Sequence, residues 1–150
     1  MSDLYKYTKY KSKYLSQGGG KKRNKNKQNS PIMNKPEVDY SEHLSEPWFS
    51  LISLGLKTVE GRKNSGKFKD MAVGKIIEWF NDDFKHRSVK TKIISKHTYK
   101  TFEEYLLTEG LEKCLPGMKD IDHGLSVYFK YFTKEQETQY GVVAIRLELV

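Results

Sequence analysis

The segment Gly55-Leu56-Lys57-Thr58-Val59-Glu60-Gly61-Arg62 carries the strongest structural signal in this chain. A glycine turn leads into residues 57–62, which alternate in the manner of a short strand. In such a strand Glu60 and Arg62 share one face and can form an ion pair, and Lys57 at the strand entry can still approach Glu60. An arginine held by a carboxylate offers a fixed fork of donors to a carbonyl, a phosphate or a base edge. The segment therefore predicts a ligand site, with a surface ion pair on an edge strand as the alternative.

Strands and short helices are predicted on both sides of this segment, beginning with a helix that follows a Ser45 cap. Trp48, Leu51 and Ile52 should face inward from that helix. A second helix should start at a Thr101 cap and extend to about residue 107. The predicted strands cover residues 74–80, 89–99, 126–132 and 140–149, with a short helix or turn at 133–138. This order predicts an α+β fold, a small, curved and partly closed β-barrel of about five to six strands with flanking short helices.

The net charge of the chain is concentrated at one end. The 150 residues carry a formal charge of +8. Residues 1–30 hold nine Lys/Arg and one acidic residue, whereas residues 31–150 hold 18 of each sign and are neutral overall. This asymmetry predicts a basic, Lys/Tyr-rich and largely disordered tail at residues 1–40 and a globular domain at residues 41–150. The pI of about 9.4 therefore says little about the domain itself.

Two interpretations of the tail stay open. Lysines interleaved with tyrosines between Leu4 and Leu15 can engage a nucleic-acid backbone through charge and stacking. The alternative is a solvated leader that attracts polyanions only weakly. The lysine–tyrosine opening, followed by Gly18-Gly19-Gly20, resembles the N-termini of many giant DNA-virus proteins. That resemblance implies a viral protein and no particular chemistry.

Composition argues against several classes of protein. No apolar run approaches the roughly 18 residues that span a bilayer, and no apolar stretch near the N-terminus predicts a secretory signal. The single cysteine, Cys114, is expected to be a small buried residue. His97 and His123 have no partners at metal-ligand spacing, so we expect neither a metal nor a cofactor. The expected location is intracellular, cytoplasmic or nuclear, in a host cell or virion if the protein is viral, with no membrane partner.

The segment quoted at the outset matches the G-x-K-x-x-E-x-R pattern of ASCH domains, a family related to PUA domains. A Pro47-Trp48 helix precedes the motif, and residues 73–77 lie where the family turns into a strand. Residues 127–137 and 140–145 resemble the closing elements of the family. The resemblance extends from about residue 43 to residue 150. Three separated blocks in the right order are far more specific than the eight-residue motif alone.

The resemblance implies a small β-barrel with flanking helices and a cleft beside the motif. Members are thought to bind RNA or modified nucleobases, so the expected partner is RNA or a nucleotide-like ligand held by Lys57, Glu60 and Arg62. One branch deacylates N4-acetylcytidine with a lysine, a threonine and a glutamate. The lysine corresponds to Lys57, the threonine position is Glu60 here, and Glu109 or Glu112 would be the distal carboxylate. Another branch is described as a ribonuclease.

The departure at residue 60 affects the choice between binding and catalysis. A glutamate cannot replace a hydroxyl nucleophile without changing the chemistry. If the protein is an enzyme, Lys57 and Glu60 would form an acid/base pair in a hydrolase. We therefore expect a binding module first, with an ASCH-type amidohydrolase or ribonuclease as the alternative and a protein-interaction module as the second alternative.

Two further groups of side chains are candidates for ligand contacts. Alternation in the predicted strand 126–132 sends Tyr128 to one face, where it packs in the core or stacks on a base. Lys90, Lys92 and Lys96 share parity in the predicted strand 89–99 and so share a face. This face is the best candidate in the domain for phosphate contacts, with a solvated strand face as the alternative.

Overall fold

The architecture comes from a computed structural model, which describes residues 36–150. The five strands are β1 (Tyr40–Leu44), β2 (Val59–Lys63), β3 (Ile76–Asn81), β4 (Ser88–Tyr99) and β5 (Val142–Leu149). The six helices are α1 (Trp48–Ser53), α2 (Gly66–Asp70), α3 (Phe102–Glu109), α4 (Leu111–Cys114), α5 (Ile121–Tyr128) and α6 (Lys134–Tyr140). The proposed tail, apart from its last five residues, lies outside the described residues, as does the stretch that resembles viral leaders.

One five-stranded sheet, in the order β1-β3-β4-β5-β2, forms the centre of the domain. The β1–β3 pair is parallel, and the other three pairs are antiparallel. The sheet curves into a half-barrel, so the edge strands β1 and β2 approach each other across an open seam. A hydrogen bond of 3.4 Å from Arg62 Nη2 in β2 to the carbonyl oxygen of His43 in β1 spans this seam. The α+β half-barrel with short helices confirms the fold class predicted from the sequence.

The two faces of the sheet carry separate hydrophobic clusters. The inner cluster includes Trp79, Ile93 and Ile145, and α1 covers it with Phe49 and Ile52. On the opposite face, α3, α4 and α5 pack over the ends of β2 and β5. These three helices therefore cover only part of this second face, and α5 lies close to the seam.

The prediction of a strand at residues 126–132 is wrong, because these residues form the end of α5 and the turn after it. The α5 helix begins at an Asp120 cap, whose side chain accepts a hydrogen bond from the His123 backbone N–H. Ile121, Leu125 and Tyr128 then recur at the spacing of a helical face. The alternation of aromatic residues that suggested a strand reflects only the last residues of the helix and a tight turn.

Several smaller features also differ from the expectations. Strand β1 was not predicted, although its alternating burial places Glu42 and Leu44 on the inner face. The N-cap of α1 is Pro47 and not Ser45. Within α1, Phe49 is buried, whereas Trp48, which the sequence predicts to face inward, is only partly buried. Thr101 caps α3 as predicted, with its hydroxyl accepting from the Glu104 backbone N–H. No helix within residues 36–150 has the length and apolar character needed to cross a membrane.

Candidate functional site

A cavity of about 240 Å³ opens at the seam between β1 and β2. Both edge strands contribute to its walls, together with α1, α5 and the turn after α5. Its volume is slightly below the range of about 300–1,000 Å³ that is common for drug-sized ligands. The cavity therefore suits one small planar group and not an extended molecule.

Lys57 lies at the floor of the cavity, and its side chain is only 2% exposed. Its ammonium group donates to the carbonyl oxygen of Val59 at 2.8 Å and to that of Cys114, and it lies 3.0 Å from Glu60 Oε2. An ammonium group has three N–H donors, and three acceptors surround this one. A ligand can hydrogen-bond to Lys57 only by displacing one of these partners.

Glu60 is the carboxylate that connects the two cations of the motif. Its Oε2 faces Lys57 at 3.0 Å, and its Oε1 accepts from Arg62 Nε at 2.7 Å. Burial on its own raises the pKa of the Glu60 carboxyl, but the nearby charges of Lys57 and Arg62 and their hydrogen bonds outweigh it and hold the pKa below its usual value. Glu60 is therefore an ionised carboxylate whose two oxygens are both engaged.

Arg62 is the member of the motif that lines the cavity and still has unoccupied hydrogen-bond donors. Its Nε is held by Glu60, and its guanidinium lies over the Phe68 ring, 4.9 Å from the ring centroid. Its Nη2 makes the long contact to the His43 carbonyl, and within residues 36–150 no hydrogen bond occupies Nη1. The guanidinium is thus fixed in orientation, while most of its terminal N–H groups remain available to a ligand.

The walls of the cavity are mainly aromatic and apolar. Its lining includes Trp48, Tyr128, Tyr131 and Phe132, together with Leu115. Tyr131 is 63% exposed, whereas Tyr128 is buried and stacked on Phe102 with a centroid distance of 4.5 Å. Phe102 therefore covers one face of the Tyr128 ring, and Tyr131 is the exposed aromatic ring of the wall.

A buried hydroxyl network supports the back of the cavity. The hydroxyls of Tyr128 and Tyr105 are 3.1 Å apart. Burial raises the pKa of both phenols well above the usual value, so both stay protonated at neutral pH. Burial also raises the pKa of the Cys114 thiol to about 11, and Cys114 is fully buried as predicted. A thiol in this setting is a packing residue and not a nucleophile.

Lys90 and Lys92 do not line the cavity. Both lie on the outer face of β4. In the strand register Lys90 is directly opposite Glu78 of β3, and Lys92 is directly opposite Glu148 of β5. Lys96 does not share their face, because the register shifts between Ile93 and Ser95. Its ammonium group instead donates to the carbonyl oxygens of Lys69 and Met71, at 2.7 Å each.

The shift at Ile94 therefore corrects the predicted stripe of three lysines. One extra residue in a bulge moves every later side chain to the other face. Two lysines with acidic neighbours across the strands remain on the outer face of β4.

The two glutamates considered as a distal carboxylate, Glu109 and Glu112, do not line the cavity. Glu109 is buried at the end of α3 and accepts from Tyr99 Oη at 2.7 Å and from Arg146 Nε at 2.8 Å. Glu112 is exposed, and it contacts the Gly117 backbone N–H at 3.5 Å. Neither residue lines the cavity, so the structure brings Lys57, Glu60 and Arg62 together without a second carboxylate from this region.

Sequence reasoning missed three residues at the rim of the cavity, namely His43, Asp82 and Tyr131. His43 Nδ1 lies 3.3 Å from Asp82 Oδ1, and both side chains are at least half exposed. No short-range pattern marks them, because β1 and the β3–β4 turn meet only in the folded sheet. The strand predicted at residues 126–132 includes Tyr131, whose actual position in a turn after α5 exposes it.

Comparisons with known proteins agree with this architecture. Residues 43–150 match the ASCH domain. The crystal structure of hypothetical protein PH0355 is similar, with a TM-score of 0.66, 36% identity, and coverage of 74% of this chain and 98% of that one. The solution structure of protein PF0455 from Pyrococcus furiosus is also similar, with a TM-score of 0.60, 34% identity, and coverage of 74% and 96%. No curated protein matches the chain by sequence. The ASCH match covers well over half of the 150 residues, and the chain therefore belongs to the ASCH domain family.

Proposed function

We propose that this ASCH domain is a binding module that holds one base of an RNA, or a modified nucleobase, in the cavity at the seam. The observation that carries the proposal is the orientation of Arg62. Glu60 fixes the guanidinium on one side, and its remaining donors face a cavity with aromatic walls. Stacking on aromatic rings together with hydrogen bonds from a fixed arginine is how proteins take up an unpaired base.

The surroundings of Lys57 favour binding over catalysis. A nucleophile or general base needs an available lone pair, whereas the three acceptors around Lys57 match the donors of an ammonium group. Glu60 stands where the deacylase branch has a threonine, and both of its oxygens are engaged. Lys57 and Glu60 therefore act as positioning residues for Arg62.

The test is a binding and turnover panel with the full chain. Arg62→Ala is expected to weaken binding of single-stranded RNA and of nucleosides roughly 10- to 100-fold, because a hydrogen bond to a charged group is lost. Lys63→Ala is the matched control, since Lys63 follows Arg62 in β2, points to the other face and does not line the cavity. Thermal unfolding of each variant checks that the fold is retained.

Three outcomes would contradict the proposal. Unchanged affinity in a folded Arg62→Ala variant would exclude the cavity as the site. Hydrolysis of N4-acetylcytidine or RNA that disappears with Lys57→Ala would favour the enzymatic alternative. Failure of every RNA and nucleoside to bind would favour a protein-interaction module.

A further inference from the structure

The free hydrogen-bonding groups of the cavity restrict which base can enter it. Lys57 and Glu60 are engaged with each other and with their neighbours, so neither is available to a ligand. The terminal N–H groups of Arg62 are available, and a guanidinium can only donate. A base must therefore present acceptors to Arg62.

A hydrogen-bond acceptor, the Asp82 carboxylate, lies at the rim of the cavity. The Asp82 carboxylate lines the same cavity, and one of its oxygens lies 3.3 Å from His43 Nδ1. An ionised carboxylate can only accept hydrogen bonds. The cavity thus combines a donor fork from β2 with an acceptor from the β3–β4 turn, across the seam that Arg62 and the His43 carbonyl span.

The walls favour a neutral planar group over a free anion. Trp48, Tyr131, Phe132 and Leu115 contribute apolar surface, and an anion that loses its hydration against such walls is compensated by the Arg62 guanidinium alone. The negative charge of Glu60 also offsets one of the two positive charges, so that Lys57, Glu60 and Arg62 together carry a net charge of only +1. The arginine is therefore better suited to a base edge than to a phosphate.

Resting on the proposed function, we propose that the base is guanine. Guanine presents two adjacent acceptors, O6 and N7, that match the fork of an arginine in bidentate fashion. Its N1–H and N2 amino groups are donors that a carboxylate can accept, which is the role of Asp82. Adenine places its N6 amino donor beside N7, so a donor would face the donors of Arg62.

The experiment is calorimetric titration of the full chain with unphosphorylated guanosine, inosine, adenosine, uridine and cytidine. Guanosine is expected to bind about 10- to 100-fold more tightly than adenosine, because the bidentate pair is lost with adenine. Inosine, which lacks the N2 amino group, is expected to bind about tenfold more weakly than guanosine.

Two variants test whether Arg62 and Asp82 cause the preference for guanosine. Arg62→Lys is expected to reduce the preference for guanosine over adenosine, because an ammonium group lacks the planar fork. Asp82→Asn is expected to reduce the gap between guanosine and inosine, while leaving the gap between inosine and adenosine in place. The Trp48 wall is unchanged in both variants, whereas Arg62→Lys removes the Nη2 contact to the His43 carbonyl and Asp82→Asn alters the contact to His43 Nδ1.

The outcomes separate this inference from the proposed function. Binding of adenosine or cytidine as tight as that of guanosine, or competitive displacement of guanosine by inorganic phosphate, would overturn the assignment to guanine and leave a base-binding cavity. A guanosine–inosine gap that persists in Asp82→Asn would overturn the role of Asp82. Absence of binding by every nucleoside would overturn both the inference and the proposed function.

Discussion

At the residue scale, the motif divides its work between a buried pair and an exposed fork. Lys57 and Glu60 are 3.0 Å apart, and both side chains are less than a tenth exposed. Removing one member of such a pair leaves the other charge buried, which costs about 3–5 kcal/mol. These two residues therefore belong to the stability of the domain as much as to its site, and only Arg62 combines a fixed position with free donors.

The state of Glu60 makes the stability of the domain depend on pH. The folded state holds the pKa of Glu60 below its ordinary value of 4.5, because Lys57 and Arg62 outweigh the effect of burial. The ion pair therefore contributes fully above pH 4.5, and its contribution is lost as the pH falls through the lower folded pKa. Glu60→Gln is expected to lower the free energy of unfolding by about 3 kcal/mol at pH 7.

Urea denaturation at pH 7 and at pH 3 measures this effect. The difference between wild type and Glu60→Gln should narrow at pH 3, because this pH lies below the ordinary pKa of 4.5 and protonation of the Glu60 carboxyl in the unfolded chain then favours unfolding of the wild type only. Glu78→Gln is the control, since Glu78 lies on the outer face and, within residues 36–150, its side chain hydrogen-bonds only to the Ser88 hydroxyl, so the change should alter stability little at either pH. An equal loss for Glu60→Gln at both pH values would show that the pair does not act through its charge.

At the element scale, the position of β2 depends on a close approach to α3. A Cβ atom at Gly61 would lie 2.6 Å from Tyr105 Cζ, and Tyr105 is fully buried. The glycine of the motif therefore serves packing, because it lets the strand that carries Glu60 and Arg62 lie directly on a helix.

Gly61→Ala is expected to destabilise the domain by about 1–3 kcal/mol, because the added methyl group overpacks a buried site. The measurement is the free energy of unfolding in urea, in a double-mutant cycle with Tyr105→Leu. The cost of Gly61→Ala should be smaller in the Tyr105→Leu background, because the smaller side chain leaves space for the methyl group. Equal costs in both backgrounds would locate the strain elsewhere.

The elements also differ in how far the sequence predicts them. Strands β3, β4 and β5 are predicted to within about two residues at each end, because Gly74 and alternating residues mark β3 and the start of β4, and a continuous apolar run marks β5. Alternation of aromatic residues predicts a strand at the end of α5, although the same short pattern also occurs in the last turn of a helix and the turn that follows it. The bulge at Ile94 carries no sequence signal, so the face of Lys96 could not be predicted.

At the scale of the whole molecule, charge and site are separate. The net charge of +8 equals that of residues 1–30, and the remaining residues are neutral overall. Lys90 and Lys92 face Glu78 and Glu148 across neighbouring strands, which reduces their effect on a polyanion. Long-range attraction to RNA is therefore expected from the basic segment, and selection of a base from the cavity.

Deletion of residues 1–30 is expected to flatten the dependence of single-stranded RNA affinity on salt. Each phosphate neutralised by a lysine or arginine contributes about 0.7 to the slope of log K against log salt for a single strand. Fluorescence anisotropy titrations between 50 and 200 mM salt, roughly the range over which such slopes are resolved, measure the change. Lys90→Ala/Lys92→Ala is the comparison and should alter the slope by much less. The reverse ranking of the two variants would assign phosphate contacts to β4.

The sequence by itself determined the α+β class, most strand positions and the spacing that pairs Glu60 with Arg62, because these follow from alternation, caps and short-range geometry. Only the tertiary structure decided which groups remain free. Packing of α4 against β2 brings the Cys114 carbonyl to Lys57, and curvature of the sheet brings Asp82 to the cavity that Arg62 lines. Such contacts join residues far apart in the chain, and no local pattern encodes them. Of the motif residues Lys57, Glu60 and Arg62, only Arg62 is therefore open to a ligand.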